Sequence, residues 1–170
     1  MQLTSGEILP CATLRPETVF GITNIWVHPD IEYVKADVNG EKWILSKSAA
    51  KKFDDQLKNL KITEKIKGSD LVGKAVTNPA TGQQVPVLPA EFCDTEMATG
   101  IVMSVPAHAP YVWIALVDLK KDKETLKKYD IEKIVNAIEV ITVIGNVDNP
   151  AKVISDEMKI KNQKETEELE

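Results

Sequence analysis

The dipeptide Asn39-Gly40 constrains this chain more than any other pair of residues. Both members tolerate positive φ, which a two-residue type I′ turn demands, and such a turn sends its flanking segments back antiparallel to each other. The flanks suit that role. Residues 32–38 and 41–45 carry Tyr33, Val34, Val38, Trp43, Ile44 and Leu45, the β-branched, aromatic and apolar side chains of a half-buried hairpin.

The rest of the chain reads outward from the hairpin. Ser46 or Ser48 can cap a helix through about residue 60, with Ala49, Phe53, Leu57 and Leu60 spaced along one face and lysines on the other. Upstream, residues 8–26 are mostly apolar, which predicts one or two buried strands broken by the polar turn Arg15-Pro16-Glu17-Thr18. Downstream, short β-type segments are expected at 61–67, 73–78, 84–88 and 101–105, separated by turn residues and closed by Pro106. Pro110 suits a first helical position, so a helix is predicted from there to about residue 120. Further helices are expected at 123–129, 131–137 and 150–158, with a strand at 140–144. The Lys- and Glu-rich stretch 159–170 reads as a solvated tail or linker. Strands and helices mixed without regular βαβ alternation predict an α+β fold: a barrel-like, mostly antiparallel sheet flanked by helices.

At 170 residues the chain is the length of one domain, able to bury a core without metals or disulfides. Apolar residues make up 43% and charged residues 28%, with no apolar run of about 18 residues and no basic, apolar leader at Met1. Those features predict a cytoplasmic protein with no membrane partner. Cys11 and Cys93 lie far apart and form no CxxC pair, so free, buried thiols are expected rather than zinc or redox chemistry. The net charge of -5 argues against a domain that grips nucleic acid unaided, because neutralising phosphates takes an excess of Lys and Arg.

Two segments set polar residues against buried-looking strands, which is how pockets are lined: ATLRPETVFG at 12–21 and ATGIVMSVPAHAPY at 98–111. The residues alone also allow a plainer account, in which the threonines satisfy backbone groups at a turn and His108 is a hydrogen-bonded loop residue. His28 and His108 are the only histidines and neither has an evident nucleophile, so no Ser-His-Asp triad can be assembled. Clustered metal ligands and glycine-rich phosphate loops are also missing from the sequence.

TLRPETVFGITNIWV resembles the threonine-rich motif of the editing domains inserted into leucyl-, isoleucyl- and valyl-tRNA synthetases, and ATGIVMSVPAHAPY resembles their second signature. SVPAHAPY followed by Trp113 and ALVDLK is similar to leucyl enzymes of archaeal and eukaryotic type, and the resemblance runs from about Ile8 to Asn162. It implies hydrolysis of the ester joining a wrong amino acid to the 3′ end of tRNA(Leu). The chain's partners would be that aminoacylated end and the remainder of a synthetase. The domain itself would need no cofactor, ATP and Mg belonging to the parent enzyme. Carried over by motif, Thr13 and Thr18 line the amino-acid pocket, Thr18 excluding leucine by its bulk. Leu14, Arg15 and Glu17 hold the loop or meet the terminal nucleotide; Met103, Ser104 and Val105 face the adenosine; His108 and Tyr111 lie beside it.

One position departs from the family. Val112 stands where these domains normally carry an aspartate that receives the substrate's ammonium group. Three readings stay open on the sequence: a domain whose hydrolysis is weakened or lost, a working hydrolase in which Glu17, Asp118 or a group of the substrate substitutes, and a binding module without catalysis.

Overall fold

The computed structural model describes residues 1–57, 59–142 and 148–169. The chain divides into two compact units, one formed by Met1–Leu14 with Asn24–Met103, the other by Arg15–Thr23 with Ser104–Glu170.

The first unit holds the sheet. Its strands are β1 (Gln2–Leu3), β2 (Asn24–Val27), β3 (Glu32–Val38), β4 (Glu41–Ser46), β5 (Leu60–Lys67), β6 (Ala75–Thr77), β7 (Gln84–Pro89) and β8 (Ile101–Ser104). The hairpin forms as its turn requires. Val38 lies opposite Glu41, and Asn39 and Gly40 both take positive φ, 54° and 89°. Hydrogen bonding runs in the order β4-β3-β5 in one sheet and β1-β6-β7-β2-β8 in the other. Ile8 joins them: it bridges Gln2 and Trp43, and the Ile44 N–H donates to its carbonyl at 2.8 Å. The residues leading into β8 return to the hairpin, with Ser46 N–H donating to Thr99 O at 2.9 Å and Tyr33 Oη donating to Gly100 O at 2.8 Å. The strands therefore curl toward closure. Gly100 is required at the seam, because its φ is +74° and a Cβ there would stand 2.8 Å from Ser46 Cβ. Pairing is antiparallel except between β2 and β7 among the registers defined for the described residues.

Helix α1 (Lys47–Leu57) packs on β3, β4 and β5. Ser46 is its cap: its Oγ accepts the Ala49 N–H at 3.1 Å and donates to Thr95 O at 2.7 Å. The small residues Ala49 and Ala50 let the helix sit close on Val34, Ala36, Val38 and Leu45, while Phe53 meets Trp43 edge-on at 5.6 Å. The helix stops before residue 60 because Leu60 opens β5 opposite Val38, where it joins the same cluster as part of the sheet.

The expected strands across 8–26 shrink to β2 and the bridge at Ile8. Residues 10–14 are irregular, and the predicted turn at 15–18 belongs to a 3-10 helix, Pro16–Gly21. An apolar run shows burial without specifying extended backbone, and Pro16 at the first position of a tight helix fits its locked φ.

The second unit gathers around α2 (Pro110–Lys121), with α3 (Lys123–Lys128), α4 (Glu132–Asn136), α5 (Pro150–Glu157) and a closing 3-10 helix, Gln163–Leu169. Proline starts both α2 and α5, and Asp122 and Asn149 cap α3 and α5 by accepting the N–H groups of Thr125 and Lys152. Val112, Ile114, Ala115, Leu116 and Leu119 give α2 its buried face. Of the strand expected at 140–144, residues 140–142 form no regular structure and 143–144 fall outside the described residues. The stretch expected to be a solvated tail packs instead on α2: Ile160 and Thr166 are buried, and Gln163 N–H donates to Asp118 Oδ2 at 2.8 Å. Its charged residues outnumber the two that matter, so composition concealed the anchor.

Candidate functional site

The second unit brings parts of the two motifs together. Thr23, within the first motif, donates its N–H to the carbonyl of Ser104 in the second at 3.1 Å. Arg15, Glu17, Thr18, Ser104, Val105, His108, Tyr111 and Val112 all belong to this unit. Thr13, Leu14 and Met103 belong to the other, where Thr13 and Leu14 are exposed and Met103 is half-buried.

The first motif is held by its own short bonds. Pro16 sets the helix entry, and Thr18 N–H and Oγ1–H both donate to Arg15 O, at 3.0 and 2.8 Å. Thr18 is only 4% exposed, so its methyl packs inward while its hydroxyl proton is spent on the turn. For Thr18 the plain structural account is thus satisfied. A role in a pocket has to rest on the shape of the side chain and on the hydroxyl's capacity to accept. Arg15 Nε meets Glu17 Oε1 at 3.0 Å on the exposed side of the turn. The Glu17 carboxyl is held below the usual range by its own backbone N–H and then by Arg15.

The second motif leaves β8 at Ser104 and turns through Pro106 and Ala107, with His108 N–H donating to Val105 O at 3.0 Å. His108 is half-buried. Burial holds its imidazole below the ordinary value, the Arg15 charge pushes the same way, and Glu17 opposes both. His108 therefore lies within electrostatic reach of the Arg15–Glu17 pair and favours its neutral form. Ser104 Oγ is fully buried and has no protein partner among the described residues, leaving a donor and an acceptor uncommitted.

Val112 occupies the third position of α2 and is 6% exposed. The first turn of α2 contains no acidic residue, and Ala109 at its cap provides no side-chain acceptor. Neither sequence candidate for a substitute carboxylate is idle: Asp118 accepts from Gln163 and Glu17 pairs with Arg15. Thr23, buried at the junction of the motifs, is a structural member that sequence reading passed over; its place beside a strand gave no polar pattern to notice. Of the two thiols, Cys93 is buried and Cys11 half-buried, and burial pushes them up to about 12 and about 11. Among the described residues no three His, Cys, Asp or Glu side chains converge as a metal site would need, and no described helix is long and apolar enough to cross a membrane.

Curled sheet, helical unit and paired motifs define a class of domain that comparison with known proteins makes specific. The family described as leucyl-tRNA synthetase, editing domain, matches residues 2–166. The leucine–tRNA ligases of Pyrococcus horikoshii and Archaeoglobus fulgidus are 50% and 49% identical over 98% and 99% of this chain. The solved structure of GlLeuRS-CP1 is 30% identical with a TM-score of 0.79, covering 89% of this chain and 62% of that one. The cytosolic leucyl-tRNA synthetase editing domain of P. knowlesi, 21% identical, shares the fold with a TM-score of 0.82 over 96% of this chain and 68% of that one. The chain belongs to the leucyl-tRNA synthetase editing-domain family, and it has the mixed α+β, curled half-barrel architecture of that family. It spans 18% of the length of the two ligases.

Proposed function

We propose that this chain forms the editing site of a leucine–tRNA ligase, receiving the aminoacylated 3′ end of tRNA(Leu), and that its ester hydrolysis is weakened or lost because Val112 replaces the carboxylate that holds the substrate's ammonium group. The observation that carries the reading is the junction of the two motifs through Thr23 and Ser104, with His108 in the field of Arg15 and Glu17. Such a site is needed because a synthetic pocket separates amino acids differing by one methylene by only about 1–3 kcal/mol.

The chemistry asks little of covalent catalysis. An aminoacyl ester is already activated, so holding it beside a water and giving its developing oxyanion hydrogen-bond donors supplies most of the rate. Buried Thr18 offers bulk that limits the amino-acid side chain, Ser104 Oγ an uncommitted donor, and the backbone of Ser104 and Val105 a surface for the adenosine. Val112 offers neither charge nor hydrogen bond to the ammonium. The occupation of Asp118 by Gln163 and of Glu17 by Arg15 supports loss rather than substitution.

Binding tests the reading directly. A non-hydrolysable 3′-aminoacyl-adenosine analogue is titrated against the chain and against Val112→Asp. The proposal expects weak binding by the natural sequence and clear strengthening by the aspartate variant. No binding by either would move the chain to a module for some other ligand.

A further inference from the structure

Phe20 is the aromatic residue that the fold leaves out. Among the described residues Trp26 and Tyr33 are buried, and Trp43, Phe53, Phe92, Tyr111, Trp113 and Tyr129 are at least half-covered, whereas Phe20 is 53% exposed. A ring of that size ordinarily contributes one of the largest buried areas a residue can give, so its exposure forfeits stability. The exposure follows from its place. Phe20 stands on the two-turn 3-10 helix Pro16–Gly21, whose Thr18 and Gly21 are buried. The same short helix carries Glu17, paired with Arg15 and acting on His108. A proline-started turn thus presents a half-exposed aromatic ring two residues from Thr18.

We infer that Phe20 is a stacking platform for an unpaired nucleobase of the RNA 3′ end, holding the strand that leads to the hydrolytic site. This rests on the reading that an RNA end is the substrate. Every base has a π-face, so one ring serves whichever nucleotide passes over it, and an aromatic side chain holds a single-stranded base by stacking without reading its sequence. Within the 15–23 turn the ring is the group free to hold a base, because the turn supplies one cation, Arg15, and that cation pairs with Glu17. Phe20 is a positioning residue, since it acts on a nucleotide and not on the ester.

The test uses RNA hairpins ending in single-stranded CCA, unacylated, with 2-aminopurine replacing either the terminal or the penultimate base. The expected result is quenching of one of the two probes on binding to the 170-residue chain at low salt. Phe20→Ala should abolish the quench and weaken binding about 5- to 150-fold, while Phe20→Trp and Phe20→Tyr keep both. Circular dichroism checks that the variants remain folded, which exposure of the side chain leads one to expect. Unchanged quench and affinity in Phe20→Ala would overturn the inference, and so would Phe20→Leu performing as well as the natural ring. Because the probe carries no ester, this outcome is independent of deacylation: failure of the editing reading shows as no hydrolysis by Val112→Asp with the quench intact, and failure of the stacking inference shows as hydrolysis with no quench.

Discussion

Val112→Asp should raise deacylation while lowering stability, and the two effects together identify the position. On the substrate side, leaving a partly buried ammonium without its counter-charge costs about 3–5 kcal/mol by analogy with broken buried ion pairs, or roughly a hundred- to several-thousand-fold in rate or affinity. Restoring the carboxylate should recover a gain of that order. On the protein side, Val112 is 6% exposed, so the exchange removes about 1.5 kcal/mol of apolar burial and desolvates a carboxylate. The location repays part of this loss, because the third position of α2 lies in a first turn without acidic residues, where the helix dipole favours a negative charge by about 0.3–1 kcal/mol. A net loss of about 1–3 kcal/mol lowers the melting temperature by several degrees. The assay is release of amino acid from tRNA(Leu) mischarged in parallel with isoleucine, valine or methionine, comparing the natural chain with the variant, alongside thermal unfolding of both. If the natural chain already deacylates briskly and the aspartate adds nothing, the missing carboxylate is not limiting, and Glu17 or another acid does its work.

Three further outcomes follow from the geometry. Thr18→Ala, made in the Val112→Asp background, removes the 2.8 Å bond to Arg15 O and opens space in the pocket; it should cost about 0.5–1.5 kcal/mol in denaturant unfolding and allow hydrolysis of correctly charged leucyl-tRNA, which the threonine parent should spare. His108 should titrate by NMR below its ordinary value, moving up in Arg15→Gln and further down in Glu17→Gln. Because its folded value is depressed, the unfolded chain binds the proton more readily, so His108 contributes stability above the unfolded value near 6.5 that is lost as pH falls toward the folded value; His108→Gln should flatten that part of the pH–stability curve. Gly68→Ala would set a Cβ 1.9 Å from the His28 carbonyl oxygen, a backbone clash that no rotamer relieves, and should destabilise by at least about 2 kcal/mol in denaturant unfolding.

How legible these features were depended on whether their causes were local. The hairpin was readable because two residues fix the turn and the turn fixes the register; α2 was readable because Pro110 marks its start and its apolar face is continuous. By contrast, β1 is two residues long and depends on pairing with β6, more than 70 residues away, and the closing 3-10 helix is held by Asp118, 45 residues earlier. The boundary between α1 and β5 was misjudged for the same reason: Leu60 has the right spacing for the helix face, and only its strand partner Val38 decides otherwise. Among the site residues, the motifs announced Thr18 and His108 by resemblance, but the bond that joins the motifs is made by backbone atoms of Thr23 and Ser104, which no side-chain pattern reports.

That difference explains how a chain can keep an editing domain's fold independently of its chemistry. At position 112 the interests of folding and catalysis oppose each other. A buried carboxylate with no partner in the free protein costs stability, and valine, similar in size and already desolvated at no penalty, fills the same helix position to the benefit of the core around α2. Selection or drift acting on stability alone would therefore accept the exchange, and every fold-level signal, from the Pro110 start to the buried face of Ile114, Ala115 and Leu116, would survive it. A resemblance spread over the whole chain reports those many folding positions. On the proposed function activity would hang on one carboxylate, a single position that a whole-chain resemblance does not weigh.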